Sequence, residues 1–141
     1  MKKFLLLITL LLFSVAMFSQ TKQRESYYQD KFAKIVGGET EVVLSDGTRA
    51  DIVTKNYAIE VDFADKWAES IGQALNYGRL LNKEAGILLV VKGREEDRHI
   101  EKLVNNIAYY RLPIKVWIWD YVGNTWGVLD YKFEYKVTFL Y

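Results

Sequence analysis

Residues 47–77 read GTRADIVTKNYAIEVDFADKWAESIGQALNY and contain two strand patterns followed by a helix pattern. The strand patterns, at 49–54 and 57–63, are rich in β-branched and aromatic residues, and the two residues between them are typical of a tight antiparallel turn. Asp51 lies on the first strand, and Glu60 and Asp62 lie on the second. Because packing alone does not require acids at these positions, this stretch is the part of the chain that indicates chemistry.

The helix pattern covers residues 64–81, where apolar side chains recur at helical spacing. Lys66, Gln73 and Tyr77 form a second, polar stripe. At about 100° per residue, positions seven and eleven residues after Lys66 point within roughly 20° of the same direction. Because this helix follows directly after Asp62, we expect its polar stripe to face the ends of the strands.

The rest of the chain completes an α/β (α+β) pattern. A helix at 25–36, in which the apolar residues Tyr28, Phe32 and Ile35 recur at helical spacing, and a strand at 40–44 precede the stretch. The apolar runs 87–91 and 114–119 are typical of strands covered on both faces, and a helix at 95–110 separates them. Residues 131–141 alternate between apolar and polar side chains. The order predicts an αβββαβ core, a mixed sheet flanked by helices, and a C-terminal β-hairpin extension.

The N-terminal residues 1–19 have the pattern of a secretory signal peptide. Lys2 and Lys3 precede an apolar run from residue 4 to residue 18, which is short for a membrane span. Cleavage near Ser19 would leave one exported domain, residues 20–141, in the periplasm or outside the cell, without stable membrane insertion. An uncleaved N-terminal anchor is the alternative. The chain has no Cys, so export brings no disulfide.

The charge balance limits the classes of partner. The chain has 19 Lys and Arg against 18 Asp and Glu, or +1, and loss of Lys2 and Lys3 would leave 17 against 18, or −1. Proteins that bind phosphate backbones non-specifically are usually basic. Any nucleic-acid contact would therefore be local, or a bound metal would meet the charge of the substrate.

Asp51 and Glu60 are candidate metal ligands. Side chains paired on one face of two antiparallel strands lie about 5 Å apart, and two carboxylates at that distance repel each other unless a cation lies between them. Oxygen ligands suit Mg²⁺ or Mn²⁺, and such an ion can polarise a phosphodiester and activate water. Whether Asp51 shares a face with Glu60 and Asp62 depends on the strand register, which the sequence leaves open.

This arrangement resembles the PD-(D/E)XK nuclease superfamily, which has the restriction-endonuclease-like fold, and is most similar to its RecB-type pattern. Gly47 to Asp51 matches the Gly-x-x-x-Asp segment of that pattern, and Gln73 to Tyr77 matches its Gln-x-x-x-Tyr helix. The resemblance implies a Mg²⁺-dependent (or Mn²⁺-dependent) nuclease that acts on DNA. It also implies that Asp51 and Glu60 bind the metal and that Gln73 and Tyr77 orient substrate or water.

One position departs from the family pattern. The acid-x-Lys segment of the family corresponds to Glu60-Val61-Asp62, so an Asp stands where a Lys is expected. In one interpretation, Lys66 supplies the positive charge and Asp62 is an additional metal ligand. In the other, the site has lost its activity, and the chain is an inactive nuclease-fold protein that acts as a binding or interaction module in the envelope.

Ordinary structural roles also account for single residues of this set. Asp62 could cap the following helix or pair with Lys66 one turn later. Glu41 is a weaker candidate for a further carboxylate, and its ordinary role is that of an exposed strand residue. Three tryptophans could stack on sugars or bases, as in a small secreted carbohydrate-binding or protein-binding sheet protein, or could pack in the core; they are Trp117, Trp119 and Trp126.

The sequence thus predicts an exported phosphodiester hydrolase and leaves its oligomeric state open. The predicted catalytic residues are Asp51, Glu60, Lys66, Gln73 and Tyr77, and the predicted metal ligands are Asp51, Glu60 and Asp62.

Overall fold

The computed structural model describes residues 22–130 and 136–140. This part of the chain contains three α-helices and seven β-strands, and short 3₁₀ turns at Ala64–Lys66 and Gly93–Glu96 precede the second and third helices. The helices are α1 (Glu25–Val36), α2 (Trp67–Leu81) and α3 (Asp97–Tyr110). The strands are β1 (Glu39–Val43), β2 (Arg49–Val53), β3 (Tyr57–Phe63), β4 (Glu84–Val91), β5 (Ile114–Asp120), β6 (Thr125–Asp130) and β7 (Lys136–Leu140).

All seven strands form one mixed sheet in which spatial order equals sequence order. Strands β3, β4 and β5 are parallel, and α2 and α3 connect them, whereas the other neighbouring strands are antiparallel. The predicted α/β class, with a mixed sheet flanked by helices, is confirmed.

The predicted element bounds hold closely in the centre of the chain. Helix α1 and strand β3 have the predicted bounds. The helix predicted to begin at Ala64 instead starts as a 3₁₀ turn and becomes α-helical at Trp67. Its first turn has no side-chain cap, and 3₁₀ geometry is common at such ends. Part of the predicted C-terminal strand, residues 131–135 and 141, lies outside the described residues.

Each face of the sheet is covered by its own apolar layer. On one face, Tyr28 and Phe32 of α1 pack against strand residues that include Ile59 and Val61. On the opposite face, α3 packs against β4 and β5. Leu103 of α3 belongs to the same apolar cluster as the strand residues on that face. Full burial of one such side chain stabilises the fold by roughly 1.5–3 kcal/mol. The two layers fix β4 from both sides, and the α1 layer fixes β3 from one side.

The buried face of α1 differs from the prediction at one position. Tyr28, Phe32 and Ala33 are buried, but Ile35 is 47% exposed. At about 100° per residue, Ile35 points about 90° away from the centre of the face formed by positions 28, 29, 32 and 33. Gln29, a polar residue, is buried in its place.

The tryptophans pack against α1. Trp117 and Trp119 are buried. The Phe32 ring lies 5.6 Å, centroid to centroid, from both Trp117 and Trp126 in edge-to-face geometry. These contacts support the role in packing rather than an exposed stacking surface.

Within the described residues, no helix has the length and apolar character needed to cross a membrane. The predicted signal peptide, residues 1–19, lies outside them.

The aromatic contacts of α1 predict a large loss of stability when Phe32 is truncated. Phe32→Ala should lower the free energy of unfolding by about 3–5 kcal/mol, because a fully buried ring is removed from a packed layer. Urea unfolding of the protein without residues 1–19 measures this change.

Ile35→Ala, on the same helix, is the matched control and should change the free energy of unfolding by less than about 0.5 kcal/mol. Equal losses in the two variants would contradict the described packing of α1.

Candidate active site

The six residues predicted from the sequence line one pocket with a volume of about 360 Å³. They come from two strands, the 3₁₀ turn and α2, and are Asp51, Glu60, Asp62, Lys66, Gln73 and Tyr77. Six further residues complete the lining, contributed by α1, β1, β2 and α2: Glu25, Ser26, Gln29, Glu41, Arg49 and Glu69.

The ends of β2 and β3 bring the acids together. Ile52 pairs with Ile59 in the antiparallel ladder. Beyond this pair, Oδ2 of Asp51 accepts a hydrogen bond from the backbone N–H of Val61 at 2.8 Å. A side chain thereby continues the pairing that the backbones no longer make, and this places the Asp51 carboxylate beside the strand that carries Glu60. The register that the sequence left open directs Asp51, Glu60 and Asp62 into the same pocket.

The turn between β1 and β2 is fixed onto α2. Asp46 accepts hydrogen bonds from the backbone N–H of Thr48 and from Nδ2 of Asn76. The hydrogen bonds from Thr48 and then Asn76 lower the pKa of Asp46 to about 2. Gly47 has φ +83°, which is costly for any residue with a Cβ. These features hold the hairpin against the helix that carries Tyr77.

Glu60 is the least satisfied group in the pocket. The residue is only 5% exposed. Its Oε2 has no hydrogen-bond partner among the described residues. Burial, followed by the negative charge of Asp51, raises the pKa of Glu60 to about 9. At neutral pH the Glu60 carboxyl therefore keeps its proton unless a cation replaces it.

The neighbours of Glu60 are affected by the same environment. Burial raises the pKa of Asp51 to about 6, although the hydrogen bond from Val61 opposes the change. Burial, and then the negative charges of Glu60 and Asp51, raise the pKa of Tyr77 above its usual range. The Tyr77 hydroxyl therefore remains a hydrogen-bond donor under all ordinary conditions.

Lys66 points toward the acids rather than away from them. Its Nζ lies 3.2 Å from Oδ1 of Asp62 and 3.5 Å from Oε2 of Glu25. Asp62 also accepts a hydrogen bond from Ser70 Oγ at 3.2 Å. Burial raises the pKa of Asp62 to about 6, while contact with Lys66 opposes the change. The hydrogen bond and charge of Asp62, and then the charge of Glu25, raise the pKa of Lys66.

Asp62 does not cap a helix. Neither the 3₁₀ turn nor α2 has a side-chain hydrogen bond at its N-cap. The pairing of Asp62 with Lys66 one turn later is present instead. Gln73 lies on the exposed side of α2, where its amide borders the pocket.

Three chemical features of the pocket suit a divalent cation. Two carboxyl groups, Asp51 and Glu60, adjoin each other, both have raised pKa values, and one buried oxygen is unpartnered. Over residues 22–130, however, no group of three or more His, Cys, Asp or Glu side chains is arranged to hold a metal ion. Lys66 and Ser70 engage Asp62. Asp51 and Glu60 thus fit the expected ligands as a pair, and Asp62 does not complete a set of three.

No family model, curated protein or solved structure matches this chain. Conclusions about function therefore depend on the chemistry of the pocket.

Several pocket residues were not predicted. Glu25, Ser26 and Gln29 come from α1, where the helical pattern indicates only an apolar stripe. A Gln next to Tyr28 and close to Phe32 on the core side was the one available signal. Glu41, the weaker candidate, also lines the pocket and forms an ion pair with Arg49 at 2.7 Å.

A larger groove, of about 1110 Å³, lies where the parallel strands β4 and β5 begin, away from the acidic pocket. None of the predicted residues lines it, and its only acid among the described residues is Glu84. Its wall includes Leu129, close to residues 131–135, which the structure does not describe. The acidic pocket is the better candidate because it combines adjoining carboxyl groups, raised pKa values and an unpartnered buried oxygen.

The raised carboxyl pKa values predict a decrease in stability as pH rises. The folded-state pKa values of Asp51, Asp62 and Glu60 lie above their ordinary values, so the folded protein binds more protons than the unfolded chain between about pH 4 and pH 9. The stability that these extra bound protons give to the folded state is present below this pH range and is lost as pH rises through it. Between about pH 4 and pH 9, the free energy of unfolding should fall by about 1–3 kcal/mol more in the wild type than in Glu60→Gln.

Urea unfolding at several pH values in EDTA measures this difference, and the exposed pocket residue Glu69, changed to Gln, is the matched control. A Glu60→Gln variant whose stability follows the same pH dependence as the wild type would contradict a buried Glu60 carboxyl with a raised pKa.

Proposed function

We propose that this protein is a metal-dependent phosphodiester hydrolase of the PD-(D/E)XK type, an exported nuclease that acts on DNA. The observation that carries the proposal is the convergence of the other five predicted residues around buried Glu60, whose Oε2 has no partner among the described residues. Motif residues that are separate in sequence but share a pocket are better evidence for a site than any one of them alone.

Asp51 and Glu60 would hold Mg²⁺ or Mn²⁺, and the ion when bound would polarise the phosphodiester and lower the pKa of its water. Glu60 must lose its proton before it can act as a ligand. Metal affinity should therefore increase with pH, because protons and metal compete for the same oxygens.

Lys66 would supply positive charge near the scissile phosphate. Its Nζ is already directed toward the acids by Asp62 and Glu25. A phosphate oxygen that enters the pocket would share this ammonium with Asp62 and would be stabilised as negative charge develops. Tyr77, which keeps its proton, and the Gln73 amide would donate hydrogen bonds that orient substrate or water.

The order of elements supports assignment to the restriction-endonuclease-like fold. A helix precedes three strands, and a second helix then leads into a parallel strand, as the αβββαβ core requires. The signal-peptide pattern of residues 1–19 supports export to the periplasm or the exterior.

The second candidate function is that of an inactive nuclease-fold protein that acts as an envelope binding or interaction module. The ion pair between Lys66 and Asp62, at 3.2 Å, favours it, because a neutralised Lys stabilises developing charge less. The two candidates differ in one measurable property, which is cleavage of DNA.

Cleavage of DNA tests the first candidate. The protein without residues 1–19 should cleave single-stranded or double-stranded DNA in Mg²⁺ or Mn²⁺ and should stop when EDTA is added. Asp51→Asn and Lys66→Met should each lower the rate by about 100-fold or more, because each removes a group that contacts the metal or the reacting phosphate.

Lys34→Met, which removes an exposed positive charge on α1 outside the pocket, is the matched control and should cleave at the wild-type rate. A folded wild type that cleaves neither form of DNA with either metal would rule out the nuclease and favour the interaction module.

Metal binding has a separate signature in thermal stability. Mg²⁺ or Mn²⁺ should raise the melting temperature at pH 8, since a ligand that binds only the folded state stabilises it. The increase should be smaller at pH 5, where Glu60 and Asp51 keep their protons. Glu60→Gln should abolish it and Glu69→Gln should keep it. An increase that survives in Glu60→Gln would place the metal elsewhere.

A further inference from the structure

Two cationic side chains, Lys66 and Arg49, line the acidic pocket, and acids oppose their charges to different extents. Lys66 lies between Asp62 and Glu25, so two acids already oppose its charge. Arg49 makes one ion pair, from its Nε to Oε2 of Glu41 at 2.7 Å. In the part of the chain that the structure describes, Glu41 is the one acid paired with Arg49. The Arg49 side chain is 62% exposed.

A second set of contacts holds the partner of Arg49. Gln29 is only 3% exposed, and its Nε2 donates to Oε1 of Glu41 at 2.7 Å and to the backbone oxygen of Asp51 at 2.9 Å. One buried amide therefore connects the carboxylate that holds Arg49 with the strand that carries a proposed metal ligand.

The backbone of Glu41 is unusual for a strand residue. Its φ is +60°, in the left-handed region, although Glu39–Val43 is a β-strand. A non-Gly residue in this conformation is strained and persists only where its surroundings impose it. Here both carboxylate oxygens of Glu41 are held, one by Gln29 and one by Arg49. The strained backbone coincides with a side chain that lines the pocket and fixes the guanidinium.

The chemistry of the exposed Arg49 guanidinium suits phosphate. An Arg presents planar N–H donors that match phosphate oxygens in pairs, and its charge persists at all relevant pH values. The pocket also needs such a group, because its lining contains six acids and only two cations. A phosphodiester that approached without a dedicated cation would be repelled. The acids are Glu25, Glu41, Asp51, Glu60, Asp62 and Glu69.

We propose that Arg49 is a phosphate-binding residue that holds the nucleic-acid backbone at the β2 side of the pocket. Glu41 and Gln29 are positioning residues that orient its guanidinium. This inference rests on the proposed function, because it takes a phosphodiester as the ligand. Arg49 binds the substrate, whereas Lys66 acts at the reacting phosphate.

Binding, measured separately from cleavage, tests this role. Fluorescence anisotropy measures the binding of a short fluorescein-labelled single-stranded oligodeoxynucleotide to the protein. The buffer contains Ca²⁺, an oxygen-binding cation, in place of Mg²⁺. Arg49→Gln should raise the Kd about 10-fold to 100-fold, which corresponds to about 1.4–2.8 kcal/mol for a lost charged contact. Arg49→Lys should bind with intermediate affinity, because it keeps the charge and loses the planar pair of donors.

The salt dependence of binding separates a phosphate contact from a structural role. Arg49→Gln should reduce the slope of log Kd against log salt concentration by about one, as expected for one lost phosphate contact. Glu41→Gln should raise the Kd with the slope unchanged, since Arg49 stays but is less well oriented. Arg98→Gln removes an exposed Arg of α3 outside the pocket and should leave both Kd and slope unchanged.

Equal Kd values and equal salt slopes for Arg49→Gln and Arg98→Gln, in variants with the melting temperature of the wild type, would overturn the inference. Absence of oligonucleotide binding by the wild type would overturn it as well. The proposed hydrolase stands or falls on cleavage. A wild type that binds DNA through Arg49 but does not cleave it would refute the hydrolase and retain this inference.

Discussion

The buried carboxyl of Glu60 is the constraint on which the site depends. β3 carries it into the interior next to Asp51, and one of its oxygens is unpartnered in the described structure. A charged carboxylate in this position is costly, so the folded protein keeps a proton there, and the pKa values of Asp51 and Asp62 rise as well. Under the proposed function, the same arrangement would become favourable when a divalent cation replaces the proton, and the cost in stability would then serve metal binding.

The two apolar layers make this placement possible. β3 is fixed from one face by α1 and is paired in parallel with β4, which is buried along nearly its whole length. Local cost at a functional site is tolerated only where the surrounding structure is over-determined. The strained backbone of Glu41 lies at the edge of the sheet instead and is held by side chains, through Gln29 and Arg49.

The sequence predicts the parts of this structure that depend on local pattern. The apolar runs of β4 and β5, the tight turn before β3 and the helical repeat of α1 are local properties, and the structure has them at the expected places. The spacing of the motif residues also identifies side chains that line one pocket in the structure. The contacts of Gln29, Glu41 and Arg49 were not predictable, because they depend on how α1 crosses β1 and β2 and on a left-handed strand residue. Ile35 was misplaced because periodicity alone does not locate the centre of a buried helix face.

The protonation of Glu60 itself is the most direct test of this account. Carboxyl-carbon NMR of the protein without residues 1–19 can follow the titration of Glu60 with and without Mg²⁺. Without metal, Glu60 should titrate well above its ordinary pKa, toward about 9, and saturating Mg²⁺ should move the transition to lower pH. A Glu60 carboxyl that titrates near an unperturbed value of about 4.3 and does not respond to Mg²⁺ would contradict it.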